Sequence, residues 1–304
     1  MYWLKRIGFF SVAACVISSC SLNPAPVVAD ENKQTATNNI SLEIITDELD
    51  DLSNVVLNNF NESGLTSDGR VEALTDDRLT CPGLSIVFSN VSTDRTSGNV
   101  SITFPEAGCS DGMKSNVRKG TINISWSGGK WYTLGSTHTI TFNNFSLNGI
   151  VINGSRTLTC TVFTYASAKI WDVTWNVKAS HTLTWPDGTS ATFNVNKTKL
   201  WSHGAAGDNY RYTNGPDGDF SVNGVNRHGK SFTVSIQIML IYTRSCKTIS
   251  KNYMPIYGTE IINDATKGKT LFIDFGQYLC DAAYTLTVDG VNSTLYGKND
   301  SSDD

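Results

Sequence analysis

From about residue 80 onward, apolar residues recur at every second position. The clearest run is Trp171, Val173, Trp175, Val177, Ala179, His181, Leu183 and Trp185, with Asp172, Thr174, Asn176, Lys178, Ser180, Thr182 and Thr184 in the other phase. A period of two belongs to a strand with one buried face. Its fifteen residues exceed the usual strand of about five or six, so it predicts one long strand or two joined without a change of facing. One apolar and one polar face suit an antiparallel sheet and not a doubly covered parallel one. Turn signals punctuate the remainder: Ser127-Gly128-Gly129, Asn148-Gly149, Asn153-Gly154, Pro186-Asp187-Gly188, Pro216-Asp217-Gly218, Asn223-Gly224 and Asp289-Gly290. Asn-Gly and Asp-Gly favour tight hairpins because both residues tolerate positive φ. The expectation is an all-β domain over 71–297, an antiparallel meander of Gly-rich hairpins. Hairpins alone leave open whether it is a sandwich, a barrel or an extended sheet.

One stretch has a different period. Leu42, Ile45, Leu49, Leu52, Val55 or Val56, and Phe60 recur at three- and four-residue steps, with Thr46, Asp47, Glu48, Asp50 and Asp51 between them. This predicts one short N-terminal amphipathic helix over 42–64, its apolar stripe on the β domain and its acids in water. Residues 20–41, with Pro24, Pro26 and no periodicity, read as a flexible tether. Residues 298–304 read as a disordered acidic tail.

Ahead of the tether, Lys5 and Arg6 precede an apolar run, Ile7 to Ile17, too brief to span a bilayer; Ser18-Ser19-Cys20 follows. This resembles the signal peptide and lipobox of bacterial lipoproteins, over 1–19, in which Cys20 would be acylated and become the first mature residue. The resemblance implies attachment to the membrane through lipid alone, in the cell envelope, as an outer-membrane lipoprotein facing the periplasm or the surface.

Composition narrows the partners. The chain has 24 Lys plus Arg against 28 Asp plus Glu, and loss of 1–19 removes two bases and no acid. An acidic chain is poorly suited to nucleic acid, which needs cations to displace phosphate counterions. Charged residues make up only 17%, and Thr, Ser, Asn and Gly abound. That mixture fits sheets whose outer faces carry Thr and Ser and whose turns carry Asn and Gly.

An internal echo bears on architecture. Ile102-Thr-Phe104 is followed by Cys109 and the alternating strand Gly120 to Gly128; Ile273-Asp-Phe275 is followed by Cys280 and the strand Tyr284 to Gly290. A second echo pairs His138-Thr-Ile-Thr-Phe142 with His181-Thr-Leu-Thr-Trp185. With Cys109-Ser-Asp-Gly112, Arg118-Lys-Gly120, Phe142-Asn-Asn-Phe145-Ser-Leu-Asn-Gly149, Arg244-Ser-Cys246 and Ile273-Asp-Phe-Gly276…Cys280-Asp281, residues 80–297 resemble a family of Bacteroidetes lipoproteins with repeated β units. The chain has Gln277-Tyr278-Leu279 where that family has more glycine. The family carries no assigned activity, so the resemblance implies compartment and build alone.

The duplication pairs the cysteines within each copy, Cys81 with Cys109 and Cys246 with Cys280, as an oxidising compartment permits. Cys160 is left as a buried thiol. No zinc-like spacing, phosphate-cradling glycine loop or nucleophile elbow occurs, so no metal or cofactor is expected. His138 and His181 lie in phase with apolar neighbours and read as core residues; His203 and His228 sit in turns. Asp217-Gly-Asp219 lacks the further acids of a calcium loop. Trp171, Trp175 and Trp185 share the apolar phase, whereas Trp131 and Tyr132, just past Gly128-Gly129, are the aromatic pair expected to be exposed. These residues point to a non-catalytic envelope protein with a structural or assembly role. A surface lipoprotein that binds a glycan or another ligand through exposed aromatics is the alternative, and an envelope hydrolase a further one.

Overall fold

The computed structural model describes residues 26–63, 76–110, 116–167, 170–203, 209–213, 220–243, 245–246, 254–264 and 268–297. One helix, α1 (Asp30–Ser63), precedes a short 3-10 turn, Asp77–Leu79. The strands follow: β1 (Ser85–Ser89), β2 (Gly98–Ser110), β3 (Val117–Ser127), β4 (Thr137–Leu147), β5 (Ile150–Ser167), β6 (Ile170–Thr184) and β7 (Ser190–His203). Then come β8 (Asn209–Thr213), β9 (Phe220–Val225), β10 (Ser231–Thr243), β11 (Tyr257–Asp264), β12 (Lys269–Gln277), β13 (Ala283–Val288) and β14 (Val291–Tyr296). All fourteen form one antiparallel sheet in sequence order. β8 and β9 share one lane, because β7 and β10 each pair with β9 along one half and with β8 along the other. The sheet is open, with β1 and β14 at its edges. Of the three architectures the sequence left open, the chain adopts a single extended sheet curled around a helix.

The fifteen-residue alternation is one strand, β6, paired along its length with β5 and β7. Asn148-Gly149 and Asp289-Gly290 are tight turns with positive φ at both residues. Asn153-Gly154 and Asn223-Gly224, expected to be turns, instead lie inside β5 and β9. At both, glycine permits close backbone approach: a Cβ on Gly154 would stand 2.0 Å from the Ser180 carbonyl oxygen, and one on Gly224 would stand 1.8 Å from that of Thr192. Register also shifts beside Gly120 and Gly258. Such irregularities bend strands locally, and here they help the sheet to curl. The two cysteine-bearing echoes fall near the two ends of the sheet, on β2–β3 and β12–β13. The disulfides Cys81–Cys109 and Cys246–Cys280 close them, and Cys160 is free and buried.

Two expectations near the N-terminus are corrected. The helix begins at Asp30, so residues 30–41 are helical and not tether, and it has 34 residues, not a short span from 42. Its acids are not in water. Glu43, Asp47, Glu48, Asp50 and Asp51 are all buried, as are Ile40, Leu42, Ile45, Leu49, Leu52 and Phe60 on its other sides. Helical periodicity told apolar from acidic faces correctly. It assumed a helix lying on a sheet, whereas this sheet covers the helix on both faces. At about 1.5 Å per residue α1 is about 51 Å long, and its partners run across the sheet. Thr37 meets Tyr284 of β13, Asn39 meets Glu260 of β11, and Phe60 stacks on Phe88 of β1.

Candidate functional site

The sheet has two faces, an inner one towards α1 and an outer one. The inner face is filled by α1. Four cations stand in the apolar phase of the strands and a fifth, Arg78, in the 3-10 turn, and each meets an acid of the helix. Arg78 bonds Asp51 at 2.8 Å and also Asp76 at 2.7 Å. Arg118 of β3 pairs with Glu48. Arg156 of β5 donates to both Asp50 oxygens at 2.5 and 2.6 Å. Lys197 of β7 holds Glu43 at 2.6 Å, and Lys199 holds Asp47 at 2.8 Å and Asp50 at 3.1 Å. Five helix carboxylates thus face five cations, and no net charge from these pairs is buried.

These neighbours fix the protonation states. Burial would raise the Asp50 carboxyl, but Arg156 and Lys199 more than offset it and hold the group ionised well below the usual carboxylate range. Glu43 is likewise lowered against burial by Lys197 and Lys199. Among the described residues Glu260 has no cation in direct contact; burial and the charge of Glu43 push it up to about 8, and the Asn39 amide donates to it at 2.8 Å. His138 and His181 are driven down to about 3 by burial and are neutral. His138 packs on Trp175 at 5.1 Å and His181 on Phe142 at 6.0 Å. Neither ring bonds a carboxylate or hydroxyl, so neither is arranged as the base of a Ser–His–Asp set. Among the described residues, no group of three or more His, Cys, Asp or Glu is placed to hold a metal ion. The inner face is a packed, charge-paired interior.

Trp131 and Tyr132 belong to that interior, which corrects their expected exposure. Trp131 is 7% exposed. Its Nε1 donates to Asn58 of α1 at 3.1 Å, and its ring stacks on Trp175 and meets Trp171 and Trp201. Tyr132 is half-buried against Trp131 and Phe163. The glycine turn folds the pair back onto the helix. Cys20 and Asp217-Gly-Asp219 lie outside the described residues, as does the side chain of His203. His228 is exposed in the turn after β9.

The outer face has a pattern that single-strand reading did not reveal. Cross-strand register brings Ser101, Asn123, Thr141, Ser155, Ser180, Asn194, Asn223, Thr233, Asn263 and Thr270 into one row from β2 to β12. Two positions along each strand, Asn99, Ser125, Thr139, Thr157, Lys178, Asn196 and Ser221 form a second. A third runs Ser127, Thr137, Thr159, Asn176, Thr198. Neighbours in a row are about 4.8 Å apart, and rows about 6.7 Å apart. Cross-strand bonds orient many of the side chains, including Ser101 to Asn123 at 2.7 Å, Ser180 to Asn194 at 3.1 Å and Asn194 to Asn223 at 3.3 Å. Of these twenty-two positions only Lys178 is charged, whereas an ordinary soluble surface would have about six. Over β5, β6, β7 and β9 the first two rows line a shallow open groove of about 440 Å³.

Comparison of the chain with protein-family models, with curated proteins and with solved structures finds no match.

Proposed function

We propose that the chain is a non-catalytic, lipid-anchored protein of a bacterial cell envelope, with a structural or assembly role exerted through the outer face of its sheet. The observation that carries this reading is the filled interior. The inner face is consumed by α1 and its five ion-paired carboxylates, so the broad surface left for partners is the outer one. The lipobox-like Ser18-Ser19-Cys20, the resemblance to Bacteroidetes lipoproteins and the two disulfides support the envelope as its compartment. No helix among the described residues is long and apolar enough to cross a membrane. Because α1 starts at Asp30, nine residues of chain, 21–29, would separate its first residue from a lipidated Cys20. That leash reaches about 35 Å at most and keeps the body close to the bilayer.

The experiment is metabolic labelling with an alkyne palmitate analogue, comparing the native chain with Cys20→Ala. Label on the native chain that is lost in the variant supports the reading. An unlabelled native chain, or one recovered wholly in the medium, overturns it. Protease shaving of intact cells separates a surface-facing body from a periplasmic one. The alternative, a glycan-binding surface lipoprotein, is favoured by the outer-face groove and rows, with Trp131 and Tyr132 no longer its ligand site.

A further inference from the structure

Extending the reading that the outer face is the working surface, we propose that the groove over β5, β6, β7 and β9 binds an uncharged, hydroxyl-rich polysaccharide. Two independent observations converge there. One is the loss of charge from a broad exposed face, where ordinary solubility would be served by Lys, Glu and Asp. The other is a concavity of about 440 Å³ lined by these same rows, within the size range of small-ligand sites.

The chemistry of the lining selects the ligand class. Stripping water from a charged side chain is costly, so a face with one charge in twenty-two positions can be covered at low desolvation cost. Ser and Thr hydroxyls and Asn amides each both donate and accept, as sugar hydroxyls do. Acidic polymers and nucleic acids need Lys and Arg, and Lys178 alone supplies little of that. Protein partners anchor through buried aromatic residues and Arg, none of which line the groove. The lining is also pre-oriented. Asn194 accepts from Ser180 and donates to Asn223, which fixes two amide planes. The Asn223 and Asn196 amide nitrogens have no acceptor within the chain among the described residues and remain available to a ligand.

The test is affinity electrophoresis of the full chain in gels containing dextran, mannan or a β-glucan, with alginate and heparin as acidic controls. The expected result is retardation by at least one uncharged polymer, changing less than twofold between 50 and 500 mM NaCl. Thr157→Glu and Asn196→Glu, both at outward positions, should each weaken it at least tenfold while leaving the thermal unfolding midpoint unchanged. Should either variant fail to fold, the isosteric Asn223→Asp takes its place. The proposal is overturned by retardation with none of the uncharged polymers, by retardation with the acidic ones only, or by variants that bind like the native chain. Self-association abolished by the same variants, without retardation, would assign the face to a second copy and overturn it equally. The gel reads the groove irrespective of anchoring, so failure here and failure of the palmitate label are separate results.

Discussion

Replacing Arg156 with methionine probes the charge-paired interior directly. The guanidinium is fully buried and makes two bonds to Asp50, at 2.5 and 2.6 Å. Methionine fills much of the same volume but strands a buried carboxylate whose remaining cation, Lys199, is 3.1 Å away and shared with Asp47. Breaking one side of a buried pair costs about 3–5 kcal/mol. For a body of this size that lowers the unfolding midpoint by about 6–20 °C. The Asp50→Leu/Arg156→Met double variant removes both charges, so it should regain at least about 2 kcal/mol of the single variant's loss. Guanidinium unfolding followed by tryptophan fluorescence measures all three chains, with Trp131 and Trp175 as internal reporters. Had the acids of α1 faced water, the single change would cost no more than about 0.5 kcal/mol. A loss under about 1 kcal/mol, or strict additivity in the double variant, would refute the buried pairing.

Stability should also depend on pH in a way set by three buried groups. His138 and His181, lowered to about 3, give stability that is present above the ordinary histidine range near 6.5 and lost as pH falls towards 3. Glu260, raised to about 8, gives stability that is present below its ordinary value and lost as pH rises through 8. Stability should therefore peak near about pH 6.5, each unbalanced proton changing it by about 1.4 kcal/mol per pH unit. Glu260→Gln should flatten the alkaline side in a chemical-denaturation series; a decline of unchanged slope would count against a buried neutral Glu260. Removing the Cys81–Cys109 bond by double serine substitution opens a 28-residue loop and should cost about 3.5 kcal/mol, read as a lowered denaturation midpoint. Thiol titration of the unreduced, lipidated chain after unfolding should find one group, Cys160. Gly154→Ala should cost about 1–3 kcal/mol, because φ is +109° and the Ser180 carbonyl lies in the way. Gly188→Ala, with open space around it, should cost less, and equal costs would remove close backbone approach as the reason for Gly154.

Strand order, the long β6 and both disulfides were legible because each rests on local information: a period of two, glycine turns and a repeated Phe-to-Cys spacing. The environment of the helix was not. An acidic stripe ordinarily means water, and nothing within residues 42–64 says that a sheet will close over it. The signal lay elsewhere, in Lys197 and Lys199, which share the phase of Phe193, Val195 and Trp201, and in Arg156, which shares that of Ile152, Leu158 and Cys160. Cations in an apolar phase demand buried acids, and α1 holds them. Asn153-Gly154 misled because the same dipeptide serves a hairpin turn and a strand bend, a choice made by the neighbouring strand. The outer-face rows were hidden because register across ten strands is a property of pairing and not of any one strand. Trp131 misled because its position after a glycine turn says nothing of which way the loop folds.

The partners of α1 have a bearing on how the molecule is made. Arg78 lies 27 residues beyond Asp51, but Tyr284 lies 247 beyond Thr37. Synthesis at about 5–20 residues per second would deliver that last contact about ten to forty seconds after the first. Throughout that interval the helix segment waits uncovered, and its carboxylates give it a reason to stay dispersed in water that a greasy plug would lack. Enclosure must then come late, once nearly the whole chain has emerged.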